Sequence, residues 1–455
     1  MKAIINAKII DNKKIIEDSY LLFDKKIVEI AKKLPPNIET IDAKGAYLSA
    51  GFIDIHIHGS AGADVMDATP EALQTISKSI LQTGTTSFLA TTMTMSSGEI
   101  EDALANIERY GDEVEGAKIL GTHLEGPFLN PAKCGAQNPQ YIQSANFELI
   151  EQYIDSIKMI TLAPEMEGAD EFMEYLQINY PNILLSIGHS DASFEETKDS
   201  FAKGVSHATH LFNAMNPLHH REPGIVGAVL GSDEVSCEII ADNIHIHPSF
   251  YNFLFRLKQE QLILVTDAMR AGCMRCGEYS LGGQNVIVQD GEARLESGQL
   301  AGSVLKLNEA LKNFYEHSEV SLPELVDMVT RIPAKKLGLD IGELKEGYCA
   351  DLVLFDDKFN ILKAFVDGDL RYNGKKLKKG KIMNRGISIH IGLNYLDTEH
   401  YGSEVSPLGT CEQDAKDMQS IAISQNFKSS FMLLSENATR EAVKSAIASA
   451  SEELT

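Results

Sequence analysis

Apolar residues in this chain recur with two different periods, and the change of period divides it. Residues 1–50 carry short apolar runs at 3–10, 19–23 and 26–30, separated by the turn pairs Asp11-Asn12 and Asp24-Lys25. Such runs predict strands joined by turns. From Gly51 the texture becomes strand–helix alternation. Ile53, Ile55 and Ile57, bounded by turn residues, predict a buried strand. Helical spacing over 70–82 precedes a strand over 85–92, and a helix over 97–110 precedes a strand over 118–125. Ser193 and Glu196 have the spacing of a capping box opening a helix over 194–203. The alternation runs to about residue 340. It predicts an α/β protein whose parallel sheet closes as a TIM-like (β/α)8 barrel over 51–340. Strand-and-turn texture then returns at 350–355, 361–366, Gly368 and Gly374. Residues 341–384 are therefore expected to join 1–50 in a small β-sandwich domain built from both flanks. Residues 386–455 read as a separate βαβα run.

The polar residues sit at strand ends. Side chains alternate along a strand, so His56 and His58 offer two imidazoles on one face. That pair is either a clamp for a divalent metal or two hydrogen-bonded core histidines. The pattern recurs. Runs at 118–124, 183–188, 205–209 and 262–266 deliver Glu125, His189, His210 and Asp267, and 236–240 leads to Asp242 and His245. In a barrel the carboxyl ends of the strands converge on one rim, where active sites form. Each residue has an ordinary alternative: Asp267 could cap a helix, and Glu125 could pair with a lysine. The coincidence favours one site containing His56, His58, Glu125, His189, His210 and Asp267. His207, three residues before His210, is expected to face the other way as packing.

Composition narrows the class. A chain of 455 residues is too long for one ordinary core. Its net charge of −24 argues against a nucleic-acid surface and means that an anionic substrate needs a locally basic site. No apolar run is long enough to span a bilayer, and Asp11 comes too soon after the start for a signal peptide. Six scattered cysteines fit reduced thiols and a cytoplasmic setting. Cys273 and Cys276 form a C-x-x-C without a second pair, which is not a zinc knuckle.

Residues 1–384 resemble the amidohydrolase superfamily and, within it, the N-acetylglucosamine-6-phosphate deacetylase family. The resemblance rests on the H-x-H of His56 and His58, on His123-Leu124-Glu125-Gly126-Pro127 and on Gly188-His189-Ser190. It continues through Thr209-His210-Leu211-Phe212-Asn213-Ala214-Met215, Arg221-Glu222-Pro223-Gly224, Val265-Thr266-Asp267-Ala268 and Leu300-Ala301-Gly302-Ser303. Many amidohydrolases share the H-x-H; the H-L-E-G-P, T-H-L-F-N-A-M and R-E-P-G motifs together are specific. The resemblance implies a metal-dependent hydrolase that releases acetate from N-acetyl-D-glucosamine 6-phosphate in amino-sugar catabolism. Glu125, His189 and His210 would hold the principal metal. His56 and His58, absent from some single-metal members, could hold a second ion with Glu125 bridging. Asp267 would be the general acid/base, also within reach of the metal, and His245 would polarise the acetamide carbonyl. Ala136, Gln137, Asn213, Ala214, Ala301, Gly302 and Ser303 would contact substrate. Arg221 would bind the phosphate across a homodimer interface. Gln137 is a departure, since relatives often carry histidine there. The implied cofactor is one or two divalent ions per chain, zinc first, with iron, manganese and cobalt compatible with the same donors. The implied partner is a phosphosugar, with neither nucleic acid nor membrane.

Two other readings stand beside this one. A cyclic-amide hydrolase or deaminase would share the barrel, but cyclic-amide hydrolases usually supply a bridging lysine where this chain has Glu125. A non-catalytic barrel acting as a scaffold is the second. The segment 386–455 resembles the opening of a caspase-like (metacaspase-type) domain in Ile391-Gly392-Leu393-Asn394-Tyr395, Leu408-Gly409-Thr410-Cys411, Asp414-Ala415 and Thr439-Arg440. The resemblance ends before that family's catalytic His and Cys, so a fragment without peptidase chemistry is expected.

Overall fold

The computed structural model of the protein describes residues 1–374, 387–394, 410–424 and 429–454. Two compact units divide the chain, Met1–Lys375 and Lys376–Thr455. In the first, eight strands form one parallel sheet: β1 (Phe52–Ile57), β2 (Thr85–Thr91), β3 (Lys118–Glu125), β4 (Ile157–Leu162), β5 (Leu184–Ile187), β6 (Val205–Ala208), β7 (Ser236–Ile240) and β8 (Leu262–Val265). They pair in chain order. The sheet then closes on itself, because β1 meets the segment after β8. Asp267 N donates to His56 O and His58 N donates to Ala268 O, each at 2.9 Å. Every residue of β1 is buried, as in a strand covered on both faces. The surrounding helices share its core: Ile76, Leu104, Met173 and Leu311 pack in one cluster with Phe88, Ile160 and Leu264. The expected helices appear as Pro70–Ile80, Ser97–Tyr110 and Phe194–Ala202, and Ser193 with Glu196 forms the capping box of the last.

The expected alternation up to residue 340 is interrupted. Gly277–Leu281, Gln284–Gln289 and Glu292–Leu295 form a three-stranded antiparallel sheet. The cause is local. Gly282-Gly283 and Asp290-Gly291 all have positive φ, which tight two-residue hairpin turns require. The alternating residues Val286, Val288 and Ala293 bury themselves with Met93, Met269 and Leu281, so this sheet sits on the barrel rim.

The flanks meet as expected. Tyr47–Ala50 pairs antiparallel with Leu352–Phe355, joining both ends of the unit in a six-stranded sheet. A four-stranded sheet from the N-terminal flank covers it, with Ile4, Phe23, Leu48, Leu352 and Phe365 in their common core. This is a β-sandwich separate from the barrel. Residues 375–384 of the expected flank, and Tyr395, Leu408 and Gly409 of the tail motifs, lie outside the described residues.

The second unit has the βαβα order read from sequence. Ile387–Gly392 pairs in parallel with Ser429–Leu434, and the helices are Cys411–Ser424 and Arg440–Leu454. Ala415, Ala422, Ala446 and Ala450 are its buried apolar residues among those described. Small side chains let helix and strand approach closely, and Asn394 Oδ1 accepts from Glu412 N at 3.0 Å at the start of the first helix.

Candidate metal centre and active site

The barrel brings the strand-end residues together. His56, His58 and Glu125 are almost fully buried, and His189, His210 and Asp267 nearly so. His189, His210 and Asp267 have φ of 48°, 29° and 48°, in the left-handed region that non-glycine residues rarely adopt. Each stands just past the end of a strand, where the chain leaves the ladder. Such strain persists only where the surroundings impose it, and it clusters at functional sites.

Glu125 is the hub. Its Oε1 lies 3.2 Å from His189 Nε2 and 3.0 Å from His210 Nε2, and those two nitrogens are 3.0 Å apart. Its Oε2 lies 3.2 Å from His58 Nε2, which is 3.2 Å from Asp267 Oδ1 and 3.3 Å from His56 Nε2. Tautomers follow from the outer partners. His189 Nδ1 faces Lys133 O at 3.0 Å, and a carbonyl only accepts, so Nδ1 donates and Nε2 keeps its lone pair. His56 Nδ1 faces Glu238 Oε2 at 2.9 Å, with the same consequence. His189 and His56 therefore each turn an Nε2 lone pair toward the Glu125 carboxylate, whose Oε1 lies 3.2 and 3.5 Å away. Donor separations of 3.0–3.3 Å match the edges of a tetrahedral shell, roughly 3.3 Å for metal–ligand bonds near 2 Å. Two groups, Glu125 with His189 and His210, and His56 with His58 and Glu125, thus fit a divalent ion. Burial raises the pKa of Glu125 and Asp267, but the surrounding imidazoles outweigh it and hold both carboxyls below the ordinary range.

Sequence reasoning passed over Glu238. It is fully buried in β7, accepting from His56 Nδ1 and, at 3.1 Å, from the His210 backbone N–H. One carboxylate thus orients residues of both donor groups, as outer carboxylates do for metal-bound histidines. Burial raises its pKa, and His56 and His207 together pull it well below the usual carboxylate value. His207 does not face away from this network. β6 ends at Ala208, so strand parity does not carry through to His210, and His207 bonds Ser236 Oγ and Glu238 Oε1 inside the barrel. His123 also joins a metal-compatible group, with His56 and Glu238. Burial pushes its pKa down to about 3, and Thr161 Oγ1 lies 2.7 Å from its Nε2. A neutral, hydrogen-bonded wall histidine is the simpler account of it.

A cavity of about 350 Å³ opens over this cluster. Its lining includes His58, Glu125, His189, His210, His245 and Asp267, and also Ala136, Gln137, Asn213, Ala214 and Gly302. Gln137 is committed to the site itself: its Nε2 donates to Glu125 Oε2 at 2.8 Å and its Oε1 accepts from Thr94 N at 2.7 Å. His245 Nδ1 lies 2.6 Å from Asp242 Oδ2, while Asp242 Oδ1 accepts the backbone N–H groups of Ile244 and His245. Burial pulls the His245 pKa down most, but Asp242 outweighs it and the net shift is upward. Ala301 is buried beside the cavity rather than lining it, and Ser303 Oγ donates to Thr266 O at 2.5 Å. Arg221 is exposed, with its Nη1 2.9 Å from His220 Nε2, and does not line the cavity of its own chain. The rim hairpin supplies lining residues that the sequence reading did not single out, Leu281 and Arg294, and the following loop adds Gln299 and Leu300. The turn pairs Gly282-Gly283 and Asp290-Gly291 were the available signal.

The model of the amidohydrolase family matches residues 47–371. The N-acetylglucosamine-6-phosphate deacetylase of Lysinibacillus sphaericus is 40% identical over 356 residues, which is 76% of this chain and 92% of the relative. The N-acetylgalactosamine-6-phosphate deacetylase of Escherichia coli O157:H7 is 34% identical, over 78% of this chain and 95% of the relative. Among solved structures, the N-acetylglucosamine-6-phosphate deacetylase of Pasteurella multocida superposes with a TM-score of 0.78 at 32% identity, over 82% of this chain and all of the other.

Proposed function

Because the chain belongs to the amidohydrolase family, and within it to the N-acetylglucosamine-6-phosphate deacetylases, we propose that the pocket above Glu125 is where it performs that hydrolysis. The products are D-glucosamine 6-phosphate and acetate. The observation that carries the assignment to this pocket is Glu125 set among the Nε2 atoms of His56, His58, His189 and His210, with Asp267 beside them.

Glu125, His189 and His210 would hold the principal ion, zinc before iron, manganese or cobalt, and His56 and His58 a second with Glu125 between them. When bound, the ion supplies Lewis acidity, which makes water a competent nucleophile near neutral pH and polarises an amide carbonyl. The chain's own residues do the rest. Asp267, held ionised, accepts a proton as water adds to the acetamide carbon. It then returns that proton to the sugar nitrogen as the C–N bond breaks, because an unprotonated amine is a very poor leaving group. His245, kept protonated by Asp242, donates through Nε2 to the carbonyl oxygen and stabilises the charge that develops there. Gln137 fixes the Glu125 carboxylate, and Asn213, Ala214 and Gly302 would contact the sugar phosphate. Arg221, exposed on its own chain, would reach the pocket of a second copy, which fits a homodimer.

We read 51–340 as the catalytic domain, in a cytoplasmic protein. Residues 386–455 take no part in this chemistry, and their caspase-like resemblance rests on short motifs alone. No described helix is long and apolar enough to cross a membrane. The Escherichia coli relative favours a second reading, the C4 epimer as substrate. Acetate release should be measured on N-acetylglucosamine 6-phosphate and on N-acetylgalactosamine 6-phosphate, with metal content determined on the same sample. A higher kcat/KM for the gluco substrate is expected; a clear preference for the galacto epimer would replace it.

A further inference from the structure

The geometry points to Arg294 as a further residue that binds the anionic end of the substrate, a phosphate monoester, from within the same chain that carries the catalytic groups, beside the Arg221 that a second copy would bring. This assignment rests on the reading of the substrate as a hexosamine 6-phosphate.

Arg294 is the one arginine or lysine lining the cavity, among the described residues. The backbone register explains why. Arg294 bridges antiparallel to Leu300, and cross-strand partners share a face. Leu300 also lines the cavity, so Arg294 leaves its strand on that side. Its neighbour Ala293 points the other way and is buried in the rim cluster.

The guanidinium is held in place without being used up. Its Nε donates to Glu292 Oε2 and its Nη1 to Gly298 O, both at 2.6 Å. Nη2 makes no hydrogen bond to any described residue. That leaves Nη2, pre-positioned on a side chain 41% exposed, as the free charged donor for a phosphate oxygen. The Arg294 charge also reaches the site, since it is one of the groups that disfavour protonation of His245.

The charge balance calls for such a residue. The floor of the cavity carries Glu125 and Asp267, and the chain as a whole carries −24. A dianionic phosphate entering that field needs a fixed cation near the mouth. Arg221 does not line this cavity, so within one chain Arg294 is the residue placed to answer it.

Steady-state kinetics of wild type, Arg294→Met and Arg294→Lys tests the assignment, with N-acetylglucosamine 6-phosphate and unphosphorylated N-acetylglucosamine as substrates. Inorganic phosphate serves as competitive inhibitor. Arg294→Met should raise KM for the phosphorylated sugar roughly ten- to a hundredfold, the scale of a lost charge-assisted pair. That increase should exceed any change with the unphosphorylated sugar at least tenfold, and the inhibition constant of phosphate should rise in step. Arg294→Lys should recover part of both, keeping the charge but losing the fork. A wild type with a strong phosphate preference that Arg294→Met retains would overturn this assignment alone. Equal losses on both sugars would make Arg294 a structural residue and overturn it too. A wild type that hydrolyses both sugars equally well would overturn the phosphosugar reading and this assignment with it.

Discussion

Asp267 is the residue that separates binding from chemistry. Replacing it with asparagine keeps the shape of the side chain but removes its ability to move a proton. Asp267→Asn should retain the metal and the fold and lose about a hundredfold or more in kcat. Near-normal turnover would remove Asp267 from that role. The pair His245–Asp242 makes a different prediction. A raised folded-state pKa means that His245 stays protonated to higher pH than a free imidazole, so activity is lost as pH rises through that pKa. Asp242→Asn removes the charge that raises it, so the basic limb of the kcat/KM profile should move to lower pH. An unmoved limb would show that His245 does not act as the cation. Much of the candidate site was legible as a set of residues that the fold brings together. His56 and His58 declared themselves by strand parity, and Glu125, His189, His210 and Asp267 by standing at strand ends. Glu238 did not, because a carboxylate within an apolar strand reads the same whether it is an outlier or a buried orienting group. Only closure of the barrel shows which imidazole it meets.

At the scale of elements, β1 carries the sharpest test. His56 within it and His58 just past its end both reach Glu125, His58 at Oε2 and His56 at the Oε1 that His189 and His210 also approach. Wild type should therefore bind up to two ions per chain. The double change His56→Gln with His58→Asn should bind about one and keep some activity. Elemental analysis giving the same count for both proteins would show that the H-x-H pair is no metal clamp. The rim hairpin is the element that reading by period missed. Its strands are short, antiparallel and set inside a run of strand–helix units, so an expectation of alternation absorbs them. The glycine-containing turns break that expectation only when each is read for the backbone it demands.

For the whole molecule, every residue placed in or around the site precedes residue 304, and the flank sheet is complete at Asn373. A chain ending at Lys375 should therefore match the full-length protein in kcat/KM within a factor of about two. A large loss would mean that the C-terminal unit completes the site or the assembly. The barrel and the flanking sandwich were legible as a change of texture along the chain, because a parallel sheet needs crossovers and a sandwich does not. The C-terminal unit was legible as βαβα order alone, since order within so short a stretch fixes neither a family nor a chemistry.

The role proposed for the ligand cluster around Glu125 is hydrolysis of an acetamide on a phosphosugar. The direct measurement is product formation from N-acetylglucosamine 6-phosphate by protein stripped of metal with a chelator and then titrated with a divalent ion. Stripped protein should be inactive. Activity should return in proportion to metal bound, saturating at one or two ions per chain, with acetate and free sugar amine appearing in equal amounts. Metal-replete protein that releases no acetate from this substrate or its C4 epimer would contradict the account. So would full activity in protein shown to hold no metal.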